Sequence, residues 1–264
     1  MTQARPDRRA LLGGAAALLL SACAGTPGPA GGSTASTVST GPAAELTPAE
    51  AGLAPLPTDG VLWRVDAAAS LLQVLAFRQG ALSGLGHNHV LTAPQLQGWL
   101  QLPAGAPDAA RLTPAQLAAS RFALALRLDA LQLDDPARRA QLGPAFASVP
   151  GPEAIAATRA NLLGESMLDA ARHPWLRVQS VSLRGEGEHV LAEIEIDWHG
   201  QQRRWRLPLA LATSGSSEGQ VLRVQGRMAL RLTDFGIRPL SLLGGMLAVQ
   251  DDLAVSLDLV LRPR

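Results

Sequence analysis

The stretch VLAEIEIDWHGQQRRWRLPLAL, residues 190–211, decides the fold of this chain. Apolar side chains alternate with mostly polar ones in its first half, on one face Val190, Ala192, Ile194, Ile196 and Trp198. Successive side chains of a strand point to opposite faces, so the alternation predicts a strand with one apolar face. It resumes after His199-Gly200-Gln201, which predicts a hairpin. Pro208 predicts an interruption of the hydrogen-bond ladder.

Similar alternation recurs elsewhere and predicts about nine strands, at 61–66, 71–78, 96–102, 122–133, 175–184, 190–199, 205–211, 222–232 and 253–261. Helices are predicted at 152–163, where Pro152 can occupy the first turn, and near 166–172. Strands with a single apolar face must hide that face, and closure of the sheet also removes exposed edges. We therefore expect an all-β fold, an eight-stranded antiparallel barrel with one or two short helices in the middle of the chain.

The N-terminal segment resembles the export signal of a bacterial lipoprotein. Three arginines precede an apolar run from Ala10 to Leu20, and Ser21-Ala22-Cys23 follows it. The run is about half as long as a membrane-spanning helix requires. We therefore predict a signal peptide at 1–22 and lipid on the sulfur of Cys23. The pair Arg8-Arg9 leaves both general and twin-arginine export open.

Residues 23–58 are rich in Gly, Pro, Ser, Thr and Ala, a composition that favours a flexible, lipidated tether. The folded domain is then predicted at 59–264. We expect a periplasmic protein anchored to a bacterial membrane by its N-terminal lipid. The outer membrane is slightly favoured, because residue 24 is alanine and not the aspartate linked to inner-membrane retention.

Composition excludes several classes of function. Without residues 1–22 the chain has 20 arginines and no lysine against 21 acidic residues, a net charge of −1. Nucleic-acid binding requires clustered positive charge, so no nucleic-acid partner is expected. A single cysteine permits no intramolecular disulfide. The sequence gives no indication of oligomeric state.

Three motifs, in order, resemble the YceI-like, polyisoprenoid-binding family. They are the segment 161–174, which ends Leu-Asp-Ala-Ala-Arg-His-Pro, the hairpin Trp198-His199-Gly200, and Phe235-Gly236-Ile237 before the last strand. The resemblance covers residue 61 to the C-terminus. It implies a periplasmic, lipocalin-like barrel whose apolar interior holds a long isoprenoid or similar lipid, without catalysis and without a cofactor.

On this basis we expect a binding protein for a long apolar lipid, such as a polyisoprenoid or quinone. Apolar binding would be driven by burial, and about 400 Å² of enclosed chain corresponds to roughly 10 kcal/mol before association costs. The predicted ligand-binding residues are Leu124, Leu126, Ile194, Ile196, Leu207, Leu209, Val224, Met228 and Leu257 along the interior, with Arg78, His87 and His89 for the head group.

The segment His87-Asn88-His89 supports an alternative function. Residues i and i+2 of a strand point the same way, so both imidazoles could ligate one metal in a periplasmic metalloprotein such as a hydrolase. A third ligand would have to come from His173, His189 or His199. The pair could equally hydrogen-bond a loop across the barrel mouth. A third hypothesis is a barrel packed solid that binds a protein partner.

The remaining polar motifs carry no active site that we recognise. Adjacent carboxylates at Asp134-Asp135 and Asp251-Asp252 are expected in solvated turns, because neighbours on a strand do not converge. Glu193 and Glu195 share a face, which the alternation predicts to be the outer one. Ser166 lacks the second glycine of a nucleophile elbow. We therefore expect no enzymatic activity.

Overall fold

The computed structural model describes residues 52–53, 56–106, 109–215 and 219–264. The predicted signal peptide, Cys23 and most of the predicted tether lie outside these residues. The described part contains three α-helices, α1 (Pro114–Ala119), α2 (Pro136–Ala140) and α3 (Pro152–Leu163). Its strands are β1 (Val61–Val65), β2 (Leu71–Gln79), β3 (His89–Thr92), β4 (Gln97–Leu102), β5 (Arg121–Arg127), β6 (Gln132–Leu133), β7 (Trp175–Glu186), β8 (His189–Trp198), β9 (Gln201–Ser214), β10 (Val221–Arg231), β11 (Ser241–Leu242) and β12 (Leu247–Pro263).

Eight strands close into a barrel in the order β1-β4-β5-β7-β8-β9-β10-β12, and β12 pairs back onto β1. Every pairing in this ring is antiparallel. Closure hides the apolar faces of all eight strands at once and leaves no free edge in the ring. The predicted eight-stranded antiparallel barrel is therefore confirmed.

Four additional strands extend the wall at one end of the barrel. β2 pairs with β12, β3 with β2, and β6 with β3, while β11 pairs with β12. This end also carries the β8–β9 turn and the beginning of β12, and we call it the mouth end. β6 pairs with β3 and not with β7, so the chain leaves the sheet after β6 and returns to it at β7. The segment between them contains α2 and α3, and residues of α3 border the barrel interior.

The predicted strand at 122–133 is wrong in its second half. β5 ends at Arg127, and a 3-10 turn over Leu128–Ala130 precedes β6. Leu128 and Leu131 are both buried, although they lie three residues apart. Residues at that spacing lie on opposite faces of a regular strand, so the turn is what lets both face the interior.

The hairpin of β8 and β9 has the predicted pairing. The register runs from Val190 opposite Leu209 to Trp198 opposite Gln201, and the turn residues have φ of 53° at His199 and 73° at Gly200. Two central residues with positive φ match the right-handed twist of a hairpin. Pro208 remains paired with β8, whereas pairing of β9 with β10 ends at its neighbour Leu209.

The helix predicted at 152–163 is present, with Pro152 in its first turn. The second predicted helix, near 166–172, is wrong. That segment forms turns, and Asp169 has a positive φ of 44°, which a right-handed helix does not accommodate. The short helices α1 and α2 were not predicted, although each begins with proline behind a capping side chain, Thr113 or Asp135.

One apolar core lines the barrel interior, and a smaller apolar cluster lies outside this core. Leu53 and Leu56, in the segment assigned to the tether, pack in that outer cluster with Trp99 and Trp175. This contact therefore lies upstream of the predicted domain boundary at residue 59. Among the described residues, no helix has the length and apolar character needed to span a bilayer.

Candidate functional site

The barrel encloses an apolar cavity of about 270 Å³. On β8 its lining extends from Val190 to Trp198, which at about 3.3 Å per residue is about 26 Å of strand. With a strand tilt of about 40°, that is about 20 Å along the barrel axis, or two thirds of the hydrocarbon core of a bilayer. The cavity is therefore elongated, and the barrel is not packed solid by its own side chains.

The nine apolar residues predicted to line the interior all border this cavity: Leu124, Leu126, Ile194, Ile196, Leu207, Leu209, Val224, Met228 and Leu257. They do so because alternate residues of each strand face inward. Of the three residues predicted for the head group, His89 borders the cavity, and Arg78 and His87 do not. Contact of any of these residues with a ligand stays a prediction.

Polar groups are scarce in the described part of the cavity wall. Five polar residues border the cavity, His89, Thr92, Ser120, Thr158 and Asn161, and no arginine, aspartate or glutamate does. His89 and Thr92 lie on β3, while Thr158 and Asn161 lie on α3. The wall thus offers burial along its length and hydrogen bonds at a few points.

Behind His89 lies a buried carboxylate. Asp134 follows β6, and its side chain has no exposed surface. Its Oδ2 is 2.6 Å from Nδ1 of His89, and its Oδ1 accepts from the amide of Val90 at 3.1 Å. Nη1 of Arg139 donates to the same Oδ1 at 2.5 Å. The carboxylate therefore holds the His89 ring from outside the cavity.

Arg139, on α2, is 2% exposed and gathers the surrounding loop. Besides Asp134, its guanidinium donates to the carbonyls of Asn88 at 2.7 Å and Phe146 at 3.2 Å, and to that of Ser148. A buried arginine needs a counter-charge and several acceptors to offset its lost hydration. Here both are supplied, so its charge is committed within the wall.

The electrostatics of this network favour an ionised Asp134. Burial by itself raises the pKa of Asp134, but the hydrogen bond and charge of His89, the Val90 amide and Arg139 together hold that pKa below its usual value. For His87, by contrast, the surroundings favour the neutral form. Partial burial, followed by the charges of His89, Arg139 and Arg78, lowers the pKa of His87, with Asp134 opposing.

The two histidines of His87-Asn88-His89 have different partners. His87 lies before β3, and its Nδ1 is 3.1 Å from Oγ of Ser148, whereas His89 contacts Asp134. Their ring centroids are 6.4 Å apart. Both side chains thus tie β3 to the segment that follows β6.

The other histidines contribute no third ligand to this pair. The rings of His173 and His199 lie 4.8 Å apart, next to the β8–β9 turn, and His189 begins β8. Within the described residues, no three or more His, Cys, Asp or Glu side chains are grouped to hold a metal ion. A metal centre on His87 and His89 therefore has no complete ligand set there.

Among the described residues, the most buried charged side chains, Asp134 and Arg139, were not predicted from the sequence. Asp134 and Asp135 were expected together in a solvated turn, which is wrong for Asp134, since it is 2% exposed and has φ of 54°. Asp135 instead caps α2 by accepting from the amide of Arg138 at 2.9 Å. The sequence signal for this helix start was Asp135-Pro136. Nothing in the pattern pointed to Arg139.

The carboxylates predicted on the outer face lie there. Glu195 accepts from Gln179 at 2.7 Å and Glu193 from Ser182 at 3.4 Å, both pairings across β7 and β8. Asp251 accepts from the amide of Thr233 at 2.9 Å. None of the three borders the cavity, so they form no acid and base pair facing it.

Comparison with known proteins places the fold. The family model described as "YceI-like domain" matches residues 63–261. The solved structure of BcnA from Burkholderia cenocepacia superposes with a TM-score of 0.52 at 12% identity, over 74% of this chain and 98% of that one. No curated protein matches this chain.

Two further solved structures are similar at lower scores. One is a polyisoprenoid binding domain from Saccharophagus degradans implicated in plant cell wall breakdown, with TM-score 0.45, 12% identity, and coverage of 76% of this chain and 98% of that one. The other is the Campylobacter jejuni YceI protein, with TM-score 0.41, 9% identity, and coverage of 62% and 81%. The family match spans nearly the whole barrel, from β1 to β12, and therefore this chain belongs to the YceI-like domain family.

Proposed function

We propose that this protein binds a long apolar lipid, such as a polyisoprenoid or quinone, inside its barrel and has no enzymatic activity. The observation that carries the proposal is the elongated cavity of about 270 Å³ with a nearly wholly apolar wall. An engineered apolar cavity of about 150 Å³ stays dry and takes up benzene, so a larger one can accept part of a hydrocarbon chain. The polyisoprenoid-binding description of the Saccharophagus degradans domain agrees with this ligand class.

Burial alone can supply the affinity. Each methylene group moved from water into the cavity contributes about 0.8 kcal/mol, so ten of them give about 8 kcal/mol before the cost of association. Binding of this kind requires no reacting group. The carboxylates Glu193, Glu195 and Asp251 do not border the cavity, and Asp134 is bonded within its wall. The wall is suited to holding a chain and not to cleaving it.

We propose further that the barrel works in the periplasm, anchored to a bacterial membrane through lipid on Cys23. The support is the sequence before the barrel, in which basic residues and an apolar run precede Ser21-Ala22-Cys23. A tether of about 30 residues would have a root-mean-square reach of about 30 Å. A lipid-binding barrel held at that distance could exchange its ligand with the bilayer.

The proposal is tested by the lipid content of the native protein. The full chain, produced in a bacterium that lipidates it, is purified and extracted with organic solvent, and the extract is analysed by mass spectrometry. We expect about one long-chain isoprenoid or quinone per protein. The matched variant Ala76→Trp, which fills the cavity, should yield markedly less. Equal amounts from both proteins would contradict binding inside the barrel.

A second measurement covers loss of ligand during purification. Delipidated protein is titrated with farnesol, and uptake is followed by native mass spectrometry. If the native extract holds no lipid and farnesol does not bind, the proposed function is wrong.

The membrane anchor is tested separately. Cys23→Ser should move the protein from the membrane fraction to the soluble periplasmic fraction. Unchanged membrane association would contradict anchoring through Cys23.

A further inference from the structure

We propose that His89, oriented by Asp134, is the binding site for the head group of the ligand, and that this head group is an uncharged oxygen, a hydroxyl or a carbonyl. The inference rests on the proposed function and narrows its ligand class. It excludes isoprenoid phosphates and diphosphates as the lipids whose head group enters the barrel.

His89 lies beside the cavity, and one of its two ring nitrogens is bonded to Asp134. It borders the cavity, and 17% of its side chain is exposed. Nδ1 donates to Asp134, which fixes the ring and leaves Nε2 as its second polar atom. In the described part of the chain, Nε2 has no hydrogen-bond partner. A neutral ring accepts from a hydroxyl there, and a protonated ring donates to a carbonyl.

A second unpaired polar atom lies at the same end of the barrel. Trp198 ends β8 at the mouth end, borders the cavity, and is 5% exposed. Its indole N–H is buried without an acceptor among the described residues, as are those of Trp63 and Trp99, and of these three Trp198 is the one at the mouth end of β8. Tryptophan is a donor only, and buried indole N–H groups usually have an acceptor. A ligand oxygen at this end would provide one.

The described part of the cavity wall offers no arginine side chain to a ligand. No arginine borders the described part of the cavity, and the sequence has no lysine. Arg139, which shares Asp134 with His89, is 2% exposed and already bonded to Asp134 and to three carbonyls. Arg78, which does not border the cavity, donates to the carbonyl of Gly86.

Phosphate recognition needs the opposite arrangement. A phosphate taken from water into an apolar cavity loses its hydration and requires arginine or lysine donors to offset that loss. A single imidazole, with a carboxylate 2.6 Å behind it, offers at most one positive charge that is already paired. A hydroxyl or carbonyl needs one hydrogen bond, and that is what this wall supplies.

The test compares three ligands that share the farnesyl skeleton and differ in the head group, together with a quinone that has a different tail. Farnesol, farnesyl phosphate and farnesene, a hydrocarbon with the farnesyl skeleton, are titrated into the delipidated full chain, and decylubiquinone provides a carbonyl head. We expect farnesol to bind about 5-fold or more tightly than farnesene, the value of one net hydrogen bond. Farnesyl phosphate should bind at least about 100-fold more weakly than farnesol. Tight binding of decylubiquinone would identify a carbonyl, and its absence a hydroxyl.

The variant His89→Phe then separates the contribution of the head group to affinity from that of the tail. It should lose the advantage of farnesol over farnesene, while the binding of farnesene changes less than about 2-fold, which also reports an intact cavity. Farnesyl phosphate binding as tightly as farnesol would overturn the inference and leave the proposed function standing. So would an unchanged preference for farnesol in His89→Phe. If none of the probes binds and the native extract holds no lipid, the proposed function itself is wrong; if the native extract holds an isoprenoid phosphate, this inference alone is wrong. If His89→Phe does not fold, the comparison of the probes on the native chain decides.

Discussion

The two halves of the barrel are built differently. The strands β7, β8, β9, β10 and β12 are 10 to 17 residues long, whereas β1 to β6 have 2 to 9 residues. Short connecting segments at 66–70, 93–96 and 128–131 separate β1 from β2, β3 from β4, and β5 from β6. We call β7 to β10 and β12 the long-strand half, and β1 to β6 the short-strand half. Pairing in the long-strand half is regular apart from isolated bulges, and its charged side chains pair on the outer face.

The difference determines what each half can hold. In the long-strand half, alternation sends every second side chain outward, so charged pairs such as Arg223–Asp258 stay in solvent. In the short-strand half, the chain leaves the sheet after β6, and the segment that follows brings Asp134 and Arg139 into the wall beside His89. One half provides apolar surface, and the other provides a polar position within it.

Removal of the buried carboxylate should have the largest effect. Asp134→Ala leaves Arg139 buried without its counter-charge, and we expect a loss of about 3–5 kcal/mol in the free energy of unfolding. The measurement is urea denaturation followed by circular dichroism. As a control, Asp258→Ala removes the half-buried partner of the exposed Arg223 and should cost only a small fraction of that. Equal losses would show that the two halves do not differ in this respect.

The pairing of Asp134 with His89 and Arg139 also predicts how the free energy of unfolding changes at acid pH. The folded pKa of Asp134 is lower than its unfolded value of about 3.9, so the stabilisation is complete above that value and is lost as the pH falls through the folded pKa. Asp134→Asn should therefore show a smaller decrease in stability between pH 5 and pH 3 than the native protein. Parallel stability curves would contradict an ionised Asp134.

A smaller effect is expected where the short strands pack closely. A Cβ at Gly98 of β4 would lie 2.8 Å from the backbone oxygen of Ala123 and would also clash with Cδ2 of Leu124. Gly98→Ala should therefore cost about 1–3 kcal/mol in thermal or urea unfolding. Gly84 has open space around its Cβ position, and Gly84→Ala should leave stability nearly unchanged.

Filling the cavity should weaken ligand binding with little loss of fold. Ala76 on β2 borders the cavity, and Ala254, next in register on β12, is exposed on the outside. We expect Ala76→Trp to weaken farnesol binding at least about 10-fold, a loss of about 1.4 kcal/mol, because the indole occupies ligand volume. Ala254→Trp should leave binding unchanged. If both bind normally, the ligand lies elsewhere.

The smallest expected effect concerns His87. Its folded pKa lies below the unfolded value of about 6.5, so the unfolded chain takes up the proton first as the pH falls. The native protein should therefore lose some stability as the pH falls below about 6.5. His87→Gln should show less of this loss in thermal unfolding at pH 7 and pH 5. An identical pH dependence would show that His87 does not contribute.

Sequence alternation was a good guide where strands are long and paired on both sides. It predicted the β8–β9 hairpin, and it predicted nine inward-facing residues that all border the cavity. It failed at 128–131, because two buried leucines three residues apart require a turn and not a strand. It also missed β3, a strand of four residues that is too short to show a period.

The sequence by itself determined the barrel and the face of each long strand that turns inward. Alternation with a period of two residues is a local property, because it can be recognised along one strand without knowing which strand pairs with it. Only the tertiary structure decided that Asp134 is buried, that Arg139 is its partner, and that His89, unlike His87 or Arg78, reaches the cavity. The contact between His89 and Asp134 joins residues 45 positions apart, and that between Asp134 and Arg139 lies in the irregular segment after β6, which no periodic pattern describes. Their geometry depends on where the chain leaves the sheet, which local alternation does not encode.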